Sequence, residues 1–294
     1  MIEAVVVGRL GIDLYPNQLS TPLREVRAYT RFVGGFAGNT ATGLARLGVC
    51  AAIFSRVGDD GHGEFVRDWL AGEGVDCRWL RTDPYWPTPP TFCEVWPPDH
   101  FPITFYRRPT APDWQLSLED VDLAEAAAAP LLYATGTGLA QSPSRETTLA
   151  LVEEHRGTTI FDLDWRPTLW ERPKEYPELA ARAAAAADVV VGNEEELEAA
   201  QLEKVPVLVL KRGERGATVY EHGEETDVPG TSVEVVNGLG AGDAFAAALG
   251  HGLLRGLSLV EAVRRGTIAG AIVASQLACS EAMPRLEELE SALV

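Results

Sequence analysis

The chain has few of the residues that build metal cages, disulfide frameworks and membrane spans. It holds 4 cysteines and 5 histidines in 294 residues. Cys50, Cys77, Cys93 and Cys279 are scattered, with no CxxC pair and no histidine cluster beside them. That spacing excludes a zinc framework and reads as reduced core thiols of a cytoplasmic protein. No apolar run approaches the ~20 residues of a membrane span. The first eight residues are too few and too acidic for a signal peptide. A cytoplasmic protein without a membrane partner is expected. Basic residues are also scarce, 25 against 43 acidic ones, for a net charge of −18. So acidic a chain is a poor partner for nucleic acid, and any cluster of arginines in it is conspicuous. Two nucleotide-binding schemes are missing as well. No GxGxxG follows the first apolar run and no GxxxxGK[ST] loop occurs, which disfavours a nicotinamide-dependent oxidoreductase.

What is present is a rhythm. Hydrophobic residues make up 46% of the chain, enough for a sizeable core. Short β-branched runs at 4–8, 50–57, 131–135, 158–162, 189–192 and 207–211 alternate with helical patterns at 39–47, 63–73, 144–154, 178–187 and 194–201. Near-continuous apolar strands separated by helices predict an α/β fold with a mostly parallel sheet covered on both faces. Beyond Lys211 come shorter β runs at 217–221 and 232–236, then helices at 244–254, 259–276 and 285–293. Two segments, 14–33 and 85–108, break the alternation with prolines and period-2 patterns. The second reads as a β-hairpin turning at Pro97-Pro98-Asp99-His100. Both leave core strand ends, where open α/β sheets bind ligands. The expected division is an α/β core of 1–13, 34–84 and 109–294, with a β lid made of 14–33 and 85–108. Such a lid would keep water from a transferring phosphoryl group.

Three stretches carry candidate chemistry. In Asn237-Gly238-Leu239-Gly240-Ala241-Gly242-Asp243, glycines at every second position precede a small-residue helix. A glycine turn opening a helix is an anion site, because unpaired N–H groups converge there. An aspartate would repel that anion, unless Asp243 takes the proton from a hydroxyl attacking phosphorus. The turn alone leaves a plain helix cap open. Asp13, after the first strand, suits sugar hydroxyls or a turn cap. Gly34-Gly35, followed by Asn39, allows close approach of a small ligand or marks an ordinary helix start.

Together these stretches resemble the ribokinase-like (PfkB) carbohydrate kinases. Gly34-Gly35 with Asn39 and Gly240-Ala241-Gly242-Asp243 look like that family's two signatures. Asn193-Glu194-Glu195-Glu196 looks like its N-x-x-E motif, and Lys211 to Gly216 like its nucleotide-side glycine turn. Gly8–Pro16, Thr91–Glu94, Phe101–Arg107 and Asp162-Leu163-Asp164-Trp165-Arg166-Pro167 are similar to a branch acting on keto-deoxy sugar acids.

The resemblance implies a ribokinase-like three-layer α/β/α core with a small β-sheet lid, and an ATP-dependent kinase. The implied substrate is 5-dehydro-2-deoxygluconate, with 2-keto-3-deoxygluconate or a neutral sugar as alternatives. A catalytically silent sugar-binding sensor is the reading from another class. In the implied mechanism Asp243 is the base, and Gly240, Ala241 and Gly242 form the anion hole. Asp13, Gly34, Gly35 and Asn39 hold the sugar, and Arg107 and Arg166 its carboxylate. Asn193, Lys211, Gly213, Gly216 and Gly238 border the nucleotide. Asn193 and Glu196 organise Mg2+ through water. Where this chain has Asn237-Gly238 the wider family has Asp-Thr, which serves a monovalent-cation loop, so K+ activation is put in question. The link 201–206 is shorter than in relatives, and a homodimer through the lid is left open.

Overall fold

The computed structural model describes residues 1–202 and 205–293. In chain order the strands are β1 (Ala4–Val7), β2 (Gly11–Pro16), β3 (Tyr29–Gly34), β4 (Ala51–Gly58), β5 (Asp76–Asp83), β6 (Pro90–Cys93), β7 (Ile103–Phe105), β8 (Leu131–Thr135), β9 (Thr158–Asp162), β10 (Val189–Asn193), β11 (Val207–Lys211), β12 (Ala217–Glu221) and β13 (Glu224–Val228). The helices are α1 (Phe36–Arg46), α2 (Gly61–Gly72), α3 (Leu123–Ala127), α4 (Ser144–Glu154), α5 (Tyr176–Ala186), α6 (Glu194–Ala200), α7 (Ala241–Leu254), α8 (Leu259–Ala274) and α9 (Leu286–Ala292).

Nine strands form one sheet in the order β13-β12-β11-β10-β9-β8-β1-β4-β5. Strands β11, β10, β9, β8, β1, β4 and β5 run parallel, while β12 and β13 close its edge antiparallel. Alternate side chains of each strand enter different cores. Val6, Ile53, Tyr133 and Val191 pack under α1, α7 and α8. Val5, Val7, Phe54, Phe161 and Val190 pack under α4 and α5. This is the three-layer α/β/α arrangement, and strands buried on both faces explain the unbroken apolar runs. Among the described residues no helix is long and apolar enough to cross a membrane.

A second sheet has the order β3-β2-β6-β7. One of its faces carries Asp13, Tyr15, Phe32 and Cys93; most of these pack with Cys279 of the core. The other carries an edge-on stack of Tyr29, Phe92 and Tyr106. This small sheet begins at Gly11 and ends one strand at Gly34, so Asp13 lies on one of its strands.

The sequence pattern and the structure part at the edge of the large sheet. Residues 232–236 form no strand; they run irregularly beside a cleft, with Val236 N donating to Ala274 O. The edge is completed by β13, which the tight turn at His222-Gly223 returns along β12. Its Glu-Glu-Thr-Asp composition hid it, yet exposed charge is what protects an edge strand. Strand β5 was hidden likewise by its charged outer positions. Of the link 201–206, residues 203 and 204 lie outside the described residues.

Candidate active site

Chain leaving β1 turns at Gly8-Arg9-Leu10 into β2, where Leu10 N donates to Asp113 Oδ2 at 2.6 Å. Parallel pairing of β2 with β6 sets Asp13 opposite Thr91. Gly34 and Gly35 have a reason beyond ligand approach. A Cβ at Gly34 would collide with the Asp13 carboxyl, and one at Gly35 with the Arg9 carbonyl. Gly35 also sits at φ 89, a left-handed conformation that favours glycine. The pair thus makes room for two of the protein's own groups. In the first turn of α1, Asn39 is buried and donates from Nδ2 to Asp243 Oδ2 at 2.7 Å. Its Oδ1 is buried without a donor.

Asp243 stands in the first turn of α7. No side chain caps this helix; the Ala241 N–H makes a long bond to Gly238 O at 3.4 Å, and the other leading N–H groups are available to an anion. Gly240 opens it at φ 82, and a Cβ there would lie 2.7 Å from Cys279 Sγ. Cys279 in turn touches the Tyr15 hydroxyl at 2.5 Å, so a strand of the small sheet rests on the glycine turn. Burial raises the Asp243 pKa to about 7, with Asp164 and Asp162 adding to the rise; the Asn39 hydrogen bond and Arg9 oppose it. Burial likewise raises Asp13 to about 6, against the pull of Arg9 and Thr91. Asn237, the departure from the family pattern, is fully used. Its Oδ1 accepts from Leu239 N at 3.1 Å and its Nδ2 donates to Leu277 O at 2.7 Å.

An ionic network faces these groups from the ends of β9, β10 and β11. Asp164 sits at φ 32, a strained conformation for a residue with a side chain. Its Oδ2 accepts from Thr137 at 2.6 Å and lies 3.5 Å from Arg9 Nη2, while Oδ1 lies 3.2 Å from Arg166. Burial would push Asp164 up, but Arg166, Arg9, Thr137 and Lys211 outweigh it and hold its pKa low. Burial raises Asp162 to about 6, against Lys211 and with Glu196. The N-x-x-E element is a capping box. Asn193 Oδ1 accepts from Glu196 N at 2.8 Å, and Glu196 Oε2 from Asn193 N at 2.9 Å. Asn193 therefore spends its side-chain oxygen on the helix start and fixes the Glu196 carboxylate. Glu196 then reaches Arg166 at 3.4 Å and Lys211 at 3.8 Å.

The remaining expected residues divide in two. Lys211, Gly213, Gly216, Gly238, Ala241 and Gly242 line a cleft of about 500 Å³. Pro98 and Phe101, at the hairpin turn, cover one side of it. Arg107 is set back: its side chain is 3% exposed, and its guanidinium pairs with Asp113 and lies 4.5 Å from the Trp114 ring centre. It borders a separate cavity of about 810 Å³ with Arg108, Gln141 and Trp170. Trp165 packs on Tyr176 and Trp170 as an ordinary core aromatic. Sequence reasoning passed over Arg9, Asp162, Asp164 and Thr137. All but Thr137 stand inside stretches that carry the family likeness, which was the signal available.

A three-layer core, a small sheet at its strand ends and a glycine-opened helix define a class, the ribokinase-like sugar kinases. The chain belongs to the pfkB family of carbohydrate kinases, whose family model matches residues 1–286. It is 33% identical to a 5-dehydro-2-deoxygluconokinase from Clostridium tetani, over 98% of this chain and 92% of that one. A sugar kinase from Pyrococcus horikoshii, solved in complex with ATP, superposes with a TM-score of 0.88 at 27% identity, over 98% of this chain and 97% of that one. A Vibrio cholerae fructokinase with fructose, ADP and calcium ion bound gives 0.86 at 28% identity, over 100% and 99%.

Proposed function

We propose that this protein transfers the γ-phosphoryl group of ATP to the primary hydroxyl of a keto-deoxy sugar acid, 5-dehydro-2-deoxygluconate. The carrying observation is Asp243, held by Asn39 in the first turn of an uncapped helix, with its pKa near neutrality. Such a carboxylate can accept a proton from a hydroxyl at neutral pH. The N–H groups of Gly240, Ala241 and Gly242 receive the phosphoryl oxygens as charge shifts onto them. Asn39 Oδ1, buried without a donor, accepts a substrate hydroxyl, and Asp13 accepts another. Arg166, the more open of the two expected arginines, takes part in holding the carboxylate. The name of the Clostridium tetani relative supports this choice of substrate.

ATP occupies the 500 Å³ cleft, with Lys211 beside its phosphates. A Cβ at Gly242 would stand 3.9 Å from Lys211 Nζ, so this cation adjoins the helix start. Mg2+ fits the donor set: Glu196 and Asp162 offer carboxylate oxygens, which that ion prefers, and Asn193 fixes Glu196. When bound with ATP, Mg2+ neutralises charge on the phosphate oxygens. Glu196 would hold it through water. Asn237 does not favour a K+ loop, because it lacks a carboxylate charge and its Oδ1 and Nδ2 are already bonded to Leu239 N and Leu277 O. Segments 14–33 and 85–108 act as a lid. The aromatic stack on its outer face, with Tyr106 58% exposed, is where two copies would pair. Free cysteines suit a cytoplasmic location.

The test is ADP release across a panel of sugars and sugar acids, with the phosphorylated carbon located by NMR. Turnover of a keto-deoxy acid at its primary hydroxyl is expected. A flat response across the panel would favour the silent sensor instead.

A further inference from the structure

We propose that Arg9 selects the acidic substrate, its free guanidinium edge receiving the sugar's carboxylate. This rests on the sugar-acid reading above and goes beyond the arginines that the family likeness suggests.

Of the cations around this ionic network, Lys211 and Arg166 each have two close carboxylates and Arg107 is sealed away, so Arg9 is the least compensated. Lys211 Nζ lies 2.9 Å from Asp162 and 3.8 Å from Glu196. Arg166 lies 3.2 Å from Asp164 and 3.4 Å from Glu196. Arg107 is sealed between Asp113 and Trp114. Among the described residues Arg9 has one acidic partner, Asp164, at 3.5 Å, and that carboxylate also serves Arg166 and Thr137. The Arg9 Nε is buried without an acceptor. Arg107 shares that deficit, but its side chain is 3% exposed against 13% for Arg9, so Arg9 is the more accessible of the two.

A guanidinium presents five donors in a flat fork that matches a carboxylate, and a buried donor left unmade is costly. An incoming carboxylate removes that cost. Arg9 is also held in place. Its carbonyl accepts from Ala37 N at 3.0 Å, and Phe105 of β7 lies 5.4 Å from its guanidinium carbon. Asp13 and Asp243 both feel its charge, although neither pairs with it. Arg9 therefore stands near both acids that face the sugar hydroxyls.

Steady-state kinetics of Arg9→Gln and Arg9→Lys with 5-dehydro-2-deoxygluconate and ATP test this. Arg9→Gln is expected to raise KM for the acid roughly 10- to 100-fold, the worth of a charged hydrogen bond, with the KM for ATP little changed. Arg9→Lys, which keeps charge but loses the fork, should recover part of the loss. An unchanged KM for the acid, a loss confined to kcat, or an equal rise in KM for ATP would overturn the assignment. If Arg9→Gln does not fold, Arg9→Lys alone must show the acid-selective rise, or the proposal fails. Wild-type enzyme that prefers fructose to every sugar acid would sink the substrate reading itself, a failure visible before any variant is made.

Discussion

The two sides of the cleft are made of opposite materials. The side proposed for the sugar is a wall of ionised side chains: Asp13, Asp164, Asp162, Glu196, Arg9, Arg166 and Lys211, most of them buried and bound to one another. On the side proposed for the nucleotide the wall is mainly backbone and small residues, among them Gly213, Gly216, Gly238, Gly242, Gly266 and Gly270. A backbone wall fits a ligand by shape and offers N–H groups to any phosphate. A wall of charged side chains discriminates, because an ill-matched ligand leaves buried groups unpaired. Asp243 and Lys211 stand where the walls meet.

That contrast can be broken from either side. The largest effect is expected from Asp243→Asn, which removes the proposed base and leaves the nucleotide wall intact. Turnover should fall by about 10²- to 10⁴-fold while ATP affinity, measured by calorimetry, holds. Normal turnover would end the assignment of Asp243. Next comes Arg166→Ala. It should raise KM for sugar acids by about 10-fold through loss of a charged contact, with ATP binding unaffected. It should also cost stability, since Asp164 and Glu196 lose a partner.

Effects of pH are smaller and carry a definite sign. The proposed base must be ionised, so kcat/KM should rise with pH through about 7, the raised pKa of Asp243. Asn39→Ala removes a hydrogen bond that opposes the rise and should move this limb upward. A limb left in place would show that Asn39 does not tune the base. For stability, a folded-state pKa above the ordinary 3.8 means that the folded form holds the proton more tightly. The contribution of Asp243 is full below 3.8 and declines as pH rises to about 7. The smallest effect is a null one: exchanging K+ for Na+ should leave turnover unchanged, because Asn237 already fills the loop with its own hydrogen bonds.

The contrast also explains what the sequence could reveal. The nucleotide wall and the core were legible, because glycine turns and apolar strands at regular spacing are local patterns. Gly240 and Asp243 are neighbours in the chain as well as in space. The sugar wall was legible only through likeness to a family. Arg9 and Asp164 are 155 positions apart, and no periodicity joins them. Asp113, which seals Arg107, is close in sequence, yet the turn that brings it under Leu10 N has no pattern of its own. The capping box at Asn193 and Glu196 could have been read from its spacing alone. The edge strand β13 was masked by the acidic residues that keep such an edge from pairing further.

The central claim is that the ionised wall selects a sugar acid. Its most direct test is the ratio of kcat/KM for 5-dehydro-2-deoxygluconate to that for fructose, measured on the wild-type enzyme with saturating ATP. Two or more charged contacts predict a preference for the acid of about 100-fold or greater. A ratio near one, or one favouring fructose, would contradict the account.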